Sequence, residues 1–252
     1  MVELTKKDIL RKLISCIDLT TLSNKDNQDS VQELIDKANQ GHDGIHPAAV
    51  CTFSNLGHFV KGQLNPSIKA AVVGSSFPTS QTLSSAKIAE AKLIAETGID
   101  ELDIVINRGD AIAGNFSNIS NEINEIRAAI GTLHLKVILE TGELQDERLI
   151  KKTAQIAIDA GADFIKTSTG KTEIGATPAA VGWMCEIIHN HYTKTGIKIG
   201  IKPSGGIRSF EDAILYFNLV GEILGAEWQN PQLFRIGASS LYDTLIEAYQ
   251  KC

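Results

Sequence analysis

The chain has 252 residues, of which 43% are hydrophobic and 21% are charged, and its formal net charge at pH 7 is −6. This length and composition allow a large buried core, and the negative charge argues against a nucleic-acid binder held by phosphate contacts. No apolar run reaches the roughly 18 residues of a membrane span, and MVELTKKDIL lacks the apolar core of a signal peptide. We therefore expect a cytoplasmic protein that binds neither membranes nor nucleic acid.

Short apolar segments recur along the chain, and polar residues followed by amphipathic stretches separate them. In chain order these segments are LISCIDLT, HPAAVCTF, IKAAVVGSS, ELDIVIN, LKVILETG, ADFIKTSTG, IKIGIKPSGG and LFRIGASS. Continuous apolar runs are typical of parallel strands that are covered on both faces. We predict a single (β/α)8 TIM barrel over residues 1–252, with an extra N-terminal helix. A doubly wound open sheet is the alternative, but eight regular units suit closure better.

Helix ends are marked by capping residues. Three helix starts are predicted at Ser30 with Glu33, at Thr177 before Pro178, and at Ser209 with Asp212. The first of these helices carries an apolar stripe that includes Val31 and Ile35, and Gly41 is placed to end it.

Polar side chains gather at the carboxyl ends of the predicted strands, where barrels of this kind carry their active sites. They are Asp18, Thr20, Cys51, Asp103, Asn107, Glu140, Thr141, Lys166, Thr167, Ser168, Lys202, Ser204, Ser239 and Ser240. Two lysines and several acids are thus predicted to converge on one mouth of the barrel.

Lys166 and Lys202 end neighbouring strands, so their amines are expected to approach each other. Burial and a nearby cation both lower the pKa of a lysine, and a neutral lysine is the nucleophile of Schiff-base chemistry. The alternative is that each lysine forms a structural ion pair. Asp103 is placed to move protons within hydrogen-bond reach of the reacting group, to hold Lys166 or Lys202 in place, or to cap a strand end, and these roles are not exclusive. Glu140 is interpreted as part of a turn and helix cap.

Three glycine-containing loops predict a phosphate site. Gly205-Gly206 comes just before a predicted helix start, and GASS, with Gly237, Ser239 and Ser240, follows the next strand. Loops after strands seven and eight commonly hold phosphate in these barrels. Thr169-Gly170-Lys171 after strand six adds a hydroxyl, an N–H group and a positive charge.

Cysteines and histidines give no sign of a disulfide framework or a metal site. The four cysteines are widely separated, and the histidines have no paired acid. Cys51 is interpreted as a small buried residue rather than a nucleophile. By its position at a strand end it is counted, with Asp18 and Thr20, among the candidate substrate-binding residues.

The motifs DLTTL, ELDIVIN, LKVILETGEL, DFIKTSTGK, GIKPSGGIRS and RIGASSL together resemble the deoxyribose-phosphate aldolases, a class I aldolase family, from about Asp18 to Leu241. The resemblance implies reversible cleavage of 2-deoxy-D-ribose 5-phosphate to acetaldehyde and D-glyceraldehyde 3-phosphate. It implies that Lys166 forms the Schiff base, that Lys202 lowers the pKa of Lys166 and joins in proton transfer, and that Asp103 moves protons. It places the phosphate at Gly170, Lys171, Gly205, Gly206, Gly237 and Ser239. It further implies no metal or organic cofactor and a homodimer or larger homo-oligomer.

Two segments depart from the family pattern. TFSNLGHF after the second strand lacks the usual proline, which bears on aldehyde preference, and the terminal EAYQKC does not place Tyr249 as a tail tyrosine. One rival hypothesis is a barrel lyase or isomerase of phosphorylated sugars that uses lysine without a covalent intermediate. Another is a catalytically silent phosphate-ligand sensor, which would be expected to lack one of Lys166, Lys202 and Asp103.

Overall fold

A computed structural model describes residues 4–252, and within this range the chain forms a parallel eight-stranded barrel. The strands are β1 (Ile17–Thr20), β2 (Ala49–Phe53), β3 (Lys69–Val73), β4 (Glu101–Val105), β5 (His134–Ile138), β6 (Phe164–Lys166), β7 (Gly200–Lys202) and β8 (Ile236–Ala238). From β1 to β7 each strand pairs with the next in sequence, and β1 also pairs with β8. Parallel bridges from Ile201 to Phe234 and from Ser204 to Gly237 close the sheet between β7 and β8. The predicted barrel is confirmed.

Helices surround the strands and pack their apolar faces against the outside of the barrel. They are α1 (Lys6–Ser15), α2 (Gln28–Gln40), α3 (Ser54–Gln63), α4 (Ser84–Glu96), α5 (Arg108–Ala113), α6 (Phe116–Ile130), α7 (Thr141–Leu144), α8 (Glu147–Asp159), α9 (Pro178–Thr195), α10 (Phe210–Leu224) and α11 (Leu241–Gln250). None of the helices in residues 4–252 combines the length and the apolar character that crossing a membrane requires.

The extra N-terminal helix is present as α1, which takes up part of the first predicted strand segment. Leu13 and Ile14 in LISCIDLT are buried on α1, and the strand begins only at Ile17. The side chain of Thr5 accepts the backbone N–H of Asp8 at the start of this helix. α1 packs against α11, so the two ends of the chain meet on one side of the barrel.

Capping residues set the helix boundaries largely as predicted. Thr177 and Ser209 are N-cap residues of α9 and α10, with side chains that accept the N–H groups of Ala180 and Asp212. The predicted start of α2 is wrong by three residues, because Asn27 rather than Ser30 is the N-cap residue that accepts the first free N–H groups.

Strand pairing places the charged residues of the barrel interior side by side. Asp103 on β4 is the register partner of Lys136 on β5, and Lys166 on β6 is the register partner of Lys202 on β7. Adjacent residues in register share one face of a sheet, so these side chains all enter the barrel interior. Strand order and register therefore assemble residues that lie up to 99 positions apart in the chain.

Gly200 is required where β7 passes the Phe164 ring. A Cβ atom at Gly200 would lie 2.3 Å from Phe164 Cζ, whereas a Cβ at Gly182 in α9 would meet no atom within 4 Å. We expect Gly200→Ala to lower the free energy of unfolding by about 1–3 kcal/mol through overpacking. Gly182→Ala should leave it unchanged or raise it by about 0.5–1 kcal/mol. Urea unfolding of both variants measures this, and equal stability of the two would contradict the packing argument.

Candidate active site

Asp103 lies at the centre of the barrel interior, where three lysine amines contact its carboxylate. Lys136 Nζ lies 2.7 Å from Asp103 Oδ1, and both Lys166 Nζ and Lys202 Nζ lie 2.8 Å from Asp103 Oδ2. All four side chains are buried. The structure thus brings the three predicted catalytic residues into direct contact and adds Lys136, which sequence reasoning missed.

Further ion pairs connect this cluster into a closed circuit. Lys202 Nζ lies 2.5 Å from Asp18 Oδ2, and Arg235 donates from Nη1 to Asp18 Oδ1 at 2.6 Å and from Nη2 to Glu101 Oε1 at 2.9 Å. Lys136 Nζ lies 2.6 Å from Glu101 Oε2. We call this circuit the charge ring, and its members in order of contact are Arg235, Asp18, Lys202, Asp103, Lys136 and Glu101. Positive and negative side chains alternate around it.

The two lysines of the mouth experience opposite electrostatic environments. Burial lowers the pKa of Lys166, and Lys202 lowers it further, so that the attraction of Asp103 only partly offsets these effects. Lys202 is buried too, but Asp103 and Asp18 together hold its pKa above the ordinary value. Lys166 is consequently the more easily deprotonated of the pair.

The carboxylates of the charge ring are held in the ionised form. Burial alone would raise the pKa of Asp103, but the ammonium groups of Lys136, Lys166 and Lys202 outweigh it and hold that pKa well below the usual range. The same balance, with Lys202 and Arg235 as the principal cations, lowers the pKa of Asp18. Both acids are therefore fixed anions at neutral pH.

A cavity of about 420 Å³ opens at the carboxyl ends of β1, β6, β7 and β8, and Lys166 is part of its wall. Of the predicted substrate-binding residues, those that line it are Thr20, Thr169, Gly170, Lys171, Gly205, Gly206, Gly237, Ser239 and Ser240. Asp18 and Cys51 are fully buried and do not line it. Cys51 packs with Ala49, Ala71 and Val73, and burial raises the pKa of its thiol, which agrees with a small core residue.

Much of the cavity wall is made of backbone turns and hydroxyl side chains. Gly205 has φ +83°, and a Cβ there would lie 2.9 Å from the Cα of Gly175, so only glycine fits the turn. The turn leads into the N-terminus of α10, and Ser239 and Ser240 lead into α11. Helix N-termini and glycine turns present N–H groups to anions. Arg208, which sequence reasoning missed, also lines this wall.

Glu140 organises the loop that carries Thr169, Gly170 and Lys171. It is fully buried with φ +57°, and it accepts hydrogen bonds from Thr169 N at 3.2 Å and from Thr169 Oγ1 at 2.5 Å. The hydroxyl of Thr172 donates to the same carboxylate at 3.2 Å. Glu140 stands in a turn as predicted, but its side chain makes no cap hydrogen bond to α7, so that part of the interpretation is wrong.

The other missed residues carried a signal in the sequence. Lys136 and Arg235 interrupt apolar runs in LKVIL and LFRIG, and Glu101 opens the strand segment ELDIV. A charged side chain inside a strand of a closed barrel requires a partner of opposite sign. That rule applied to every strand would have identified them.

Fold and site together define an enzyme of the (β/α)8 class, with a lysine pair beside a cavity whose wall is formed by glycine turns. Residues 12–240 match the family model of DeoC/LacD family aldolases. Curated deoxyribose-phosphate aldolases of Homo sapiens and Bos taurus are 42% and 41% identical over 247 residues, covering 92% of this chain and 78% of each relative. The chain belongs to the DeoC/LacD aldolases, which are carbon–carbon lyases.

Solved structures give the same fold. A Toxoplasma gondii ME49 protein superposes with a TM-score of 0.88 at 23% identity and covers 98% of this chain and 96% of its own. The deoxyribose phosphate aldolase of Aeropyrum pernix, described as a tetramer, has a TM-score of 0.72 at 25% identity over 98% of this chain and 99% of its own.

Glu140→Ala removes the acceptor of two Thr169 donors. We expect a loss of about 1–3 kcal/mol in the free energy of unfolding, the cost of leaving buried donors unpaired. Glu143→Ala is the matched control, since Glu143 pairs with Arg108 at 3.0 Å but is 45% exposed, and it should cost less than about 1 kcal/mol. Chemical denaturation compares the two, and an equal loss would show that Glu140 does no more than a surface ion pair.

Proposed function

We propose that this protein is a class I aldolase that reversibly cleaves 2-deoxy-D-ribose 5-phosphate into acetaldehyde and D-glyceraldehyde 3-phosphate. The observation that carries the proposal is Lys166, a buried lysine with a lowered pKa that faces the cavity beside Lys202 and Asp103. The names of the curated relatives support the substrate.

The reaction needs a neutral amine within reach of the sugar aldehyde. Lys166 Nζ attacks C1 of the open-chain sugar to give a carbinolamine, which loses water to form an iminium. The C3 hydroxyl then gives up its proton to the water released in iminium formation, C3 becomes the carbonyl carbon of glyceraldehyde 3-phosphate, and the C2–C3 electron pair moves into an enamine. The same water returns the proton to C2 of the enamine, and hydrolysis of the resulting iminium releases acetaldehyde and restores the lysine.

Asp103 and Lys202 serve these steps in different ways. A carboxylate with so low a pKa is a weak base, and its position 2.8 Å from Lys166 Nζ favours it as the counter-ion of the iminium. Both lysine amines contact its Oδ2 atom, so Asp103 also holds Lys166 and Lys202 beside each other. Lys202 repels a proton on Lys166, which lowers the pKa of the nucleophile and favours its neutral form.

The substrate phosphate binds to the glycine-turn wall of the cavity. Gly205 and Gly206 offer backbone N–H groups, Ser239 offers a hydroxyl, and Lys171 and Arg208 add positive charge. Gly237 lines the same wall, but its N–H already donates to the carbonyl of Pro203. Lys171 Nζ donates to the carbonyl of Leu22, so the side chain links the loop after β6 to the segment after β1. Anchoring the distant phosphate orients C1 toward Lys166.

Assembly and location follow the same family. We propose a cytoplasmic homo-oligomer, supported by the tetramer described for the Aeropyrum pernix relative.

Borohydride trapping tests the covalent mechanism. Incubation with acetaldehyde and sodium borohydride should leave a two-carbon adduct on Lys166, located by mass after digestion, and Lys166→Leu should remove both the adduct and cleavage activity. Lys171→Leu is the matched control, because Lys171 lines the same cavity but contacts only a carbonyl. It should keep the adduct and raise KM for the phosphorylated sugar. A folded parent protein without an adduct would leave the non-covalent phosphosugar enzyme as the better hypothesis.

A further inference from the structure

We propose that Arg235 and Glu101, which do not reach the cavity, are positioning residues that fix the charge balance of the ring and thereby keep Lys166 neutral at neutral pH. The inference rests on the proposed function of Lys166 as the Schiff-base lysine. It means that Arg235 and Glu101 influence catalysis although neither of them contacts the substrate.

The charge ring is neutral without Lys166, so a protonated Lys166 adds a positive charge that no further carboxylate offsets. Its three carboxylates (Asp18, Glu101, Asp103) and three cations (Lys136, Lys202, Arg235) alternate and sum to zero. Lys166 is a fourth cation that contacts only Asp103 among these groups. A proton on Lys166 therefore gives a buried cluster with a net charge of +1. An uncompensated charge in a dry interior is costly, and the usual response is loss of the proton.

Because of Arg235, the proton is lost from a lysine rather than from the arginine. A guanidinium does not lose its proton in a protein, so Arg235 is a permanent positive charge inside the barrel. Its bonds to Asp18 and Glu101 use carboxylate oxygens that would otherwise attract protons on Lys202 and Lys136 more strongly. Glu101 in turn is held as an anion by Lys136 and Arg235, which lower its pKa against the opposing effect of burial.

The pKa shifts of the other titratable groups that face the ring favour their uncharged forms. Burial raises the pKa of Cys16 to about 12 and also raises the pKa of Cys51. Burial lowers the pKa of His134, which interacts with Glu101 from β5. The next ion pair outward, Arg127 with Asp163 at 3.0 Å, contains one charge of each sign. The ring and Lys166 therefore form a separate electrostatic unit.

Substitutions that change the ring charge in opposite directions should move the pH dependence in opposite directions. Arg235→Met removes a positive charge, so a proton on Lys166 is less disfavoured and its pKa rises. The acidic limb of kcat/KM against pH should move to higher pH by about one unit or more. Glu101→Gln removes a negative charge and should move the limb to lower pH. The double variant restores the balance and should return the limb to the parental position.

Two further variants separate charge from packing. Arg235→Lys keeps the positive charge, so the acidic limb of kcat/KM should stay at the parental pH even if the free energy of unfolding falls. Lys87→Met removes a buried cation paired with Glu122 at 2.8 Å outside the ring, and it should lower stability without moving the limb. If Arg235→Met fails to fold, Glu101→Gln compared with Lys87→Met decides the question, because only the former should move the limb.

The inference is overturned if the two single variants leave the limb in place or move it in the same direction. It is also overturned if Lys87→Met moves the limb as far as Arg235→Met does. Trapping of acetaldehyde on the parent protein distinguishes failure of this inference from failure of the proposed Schiff-base mechanism. Absence of the Lys166 adduct there rejects the proposed function, whereas a parental adduct with unmoved limbs rejects only the role of Arg235 and Glu101.

Discussion

The carboxylate of Asp103, held by three lysine amines in the buried interior of the barrel, makes the contacts on which the rest of the structure depends. Taking these charges out of water is costly, and the cost is offset only if every ion has partners at short distance. β4, β5, β6 and β7 supply the four side chains from neighbouring strands, so barrel closure and charge pairing require each other. Removing one partner would leave a buried charge exposed to no solvent, which typically costs about 3–5 kcal/mol. The charge ring is therefore a structural constraint as well as a chemical one.

Above this layer the chain uses backbone rather than charge to shape the site. Gly205 makes room for a close approach by Gly175, and a Cβ atom at Gly237 would lie 3.1 Å from Lys202 Cε. Buried Glu140 fixes the neighbouring loop by accepting the N–H and O–H of Thr169. Fixed turns present N–H groups without side-chain entropy cost, which suits recognition of a small anion. The site thus combines the buried charge ring with a cavity wall that is fixed by hydrogen bonds and close backbone packing.

The sequence revealed the barrel and the lysine pair because both depend on the order of strands. Eight apolar segments predicted eight parallel strands, and Lys166 and Lys202 were predicted to be neighbours from strand count alone. Lys136, Glu101 and Arg235 were missed because parallel strands lack a polar face, so the pattern does not say which side chains enter the barrel. The role of Glu140 was missed because a left-handed backbone conformation at glutamate has no signature in the sequence. Asn27 was overlooked because Ser30, its partner in the cap, also has capping chemistry.

Two lysines in register contact the same oxygen of Asp103, each at 2.8 Å, and yet the structure makes them chemically different. Lys202 has a second carboxylate, Asp18, and no access to the cavity, so its positive charge is stabilised and sheltered. Lys166 has Asp103 alone, and it lies at the cavity wall. Paired groups whose environments drive their pKa values apart divide the work of acid and base between them. Electrostatics therefore favours Lys166 as the nucleophile and Lys202 as the permanent cation beside it. The difference between the two lysines comes from Asp18, which contacts Lys202 and raises its pKa.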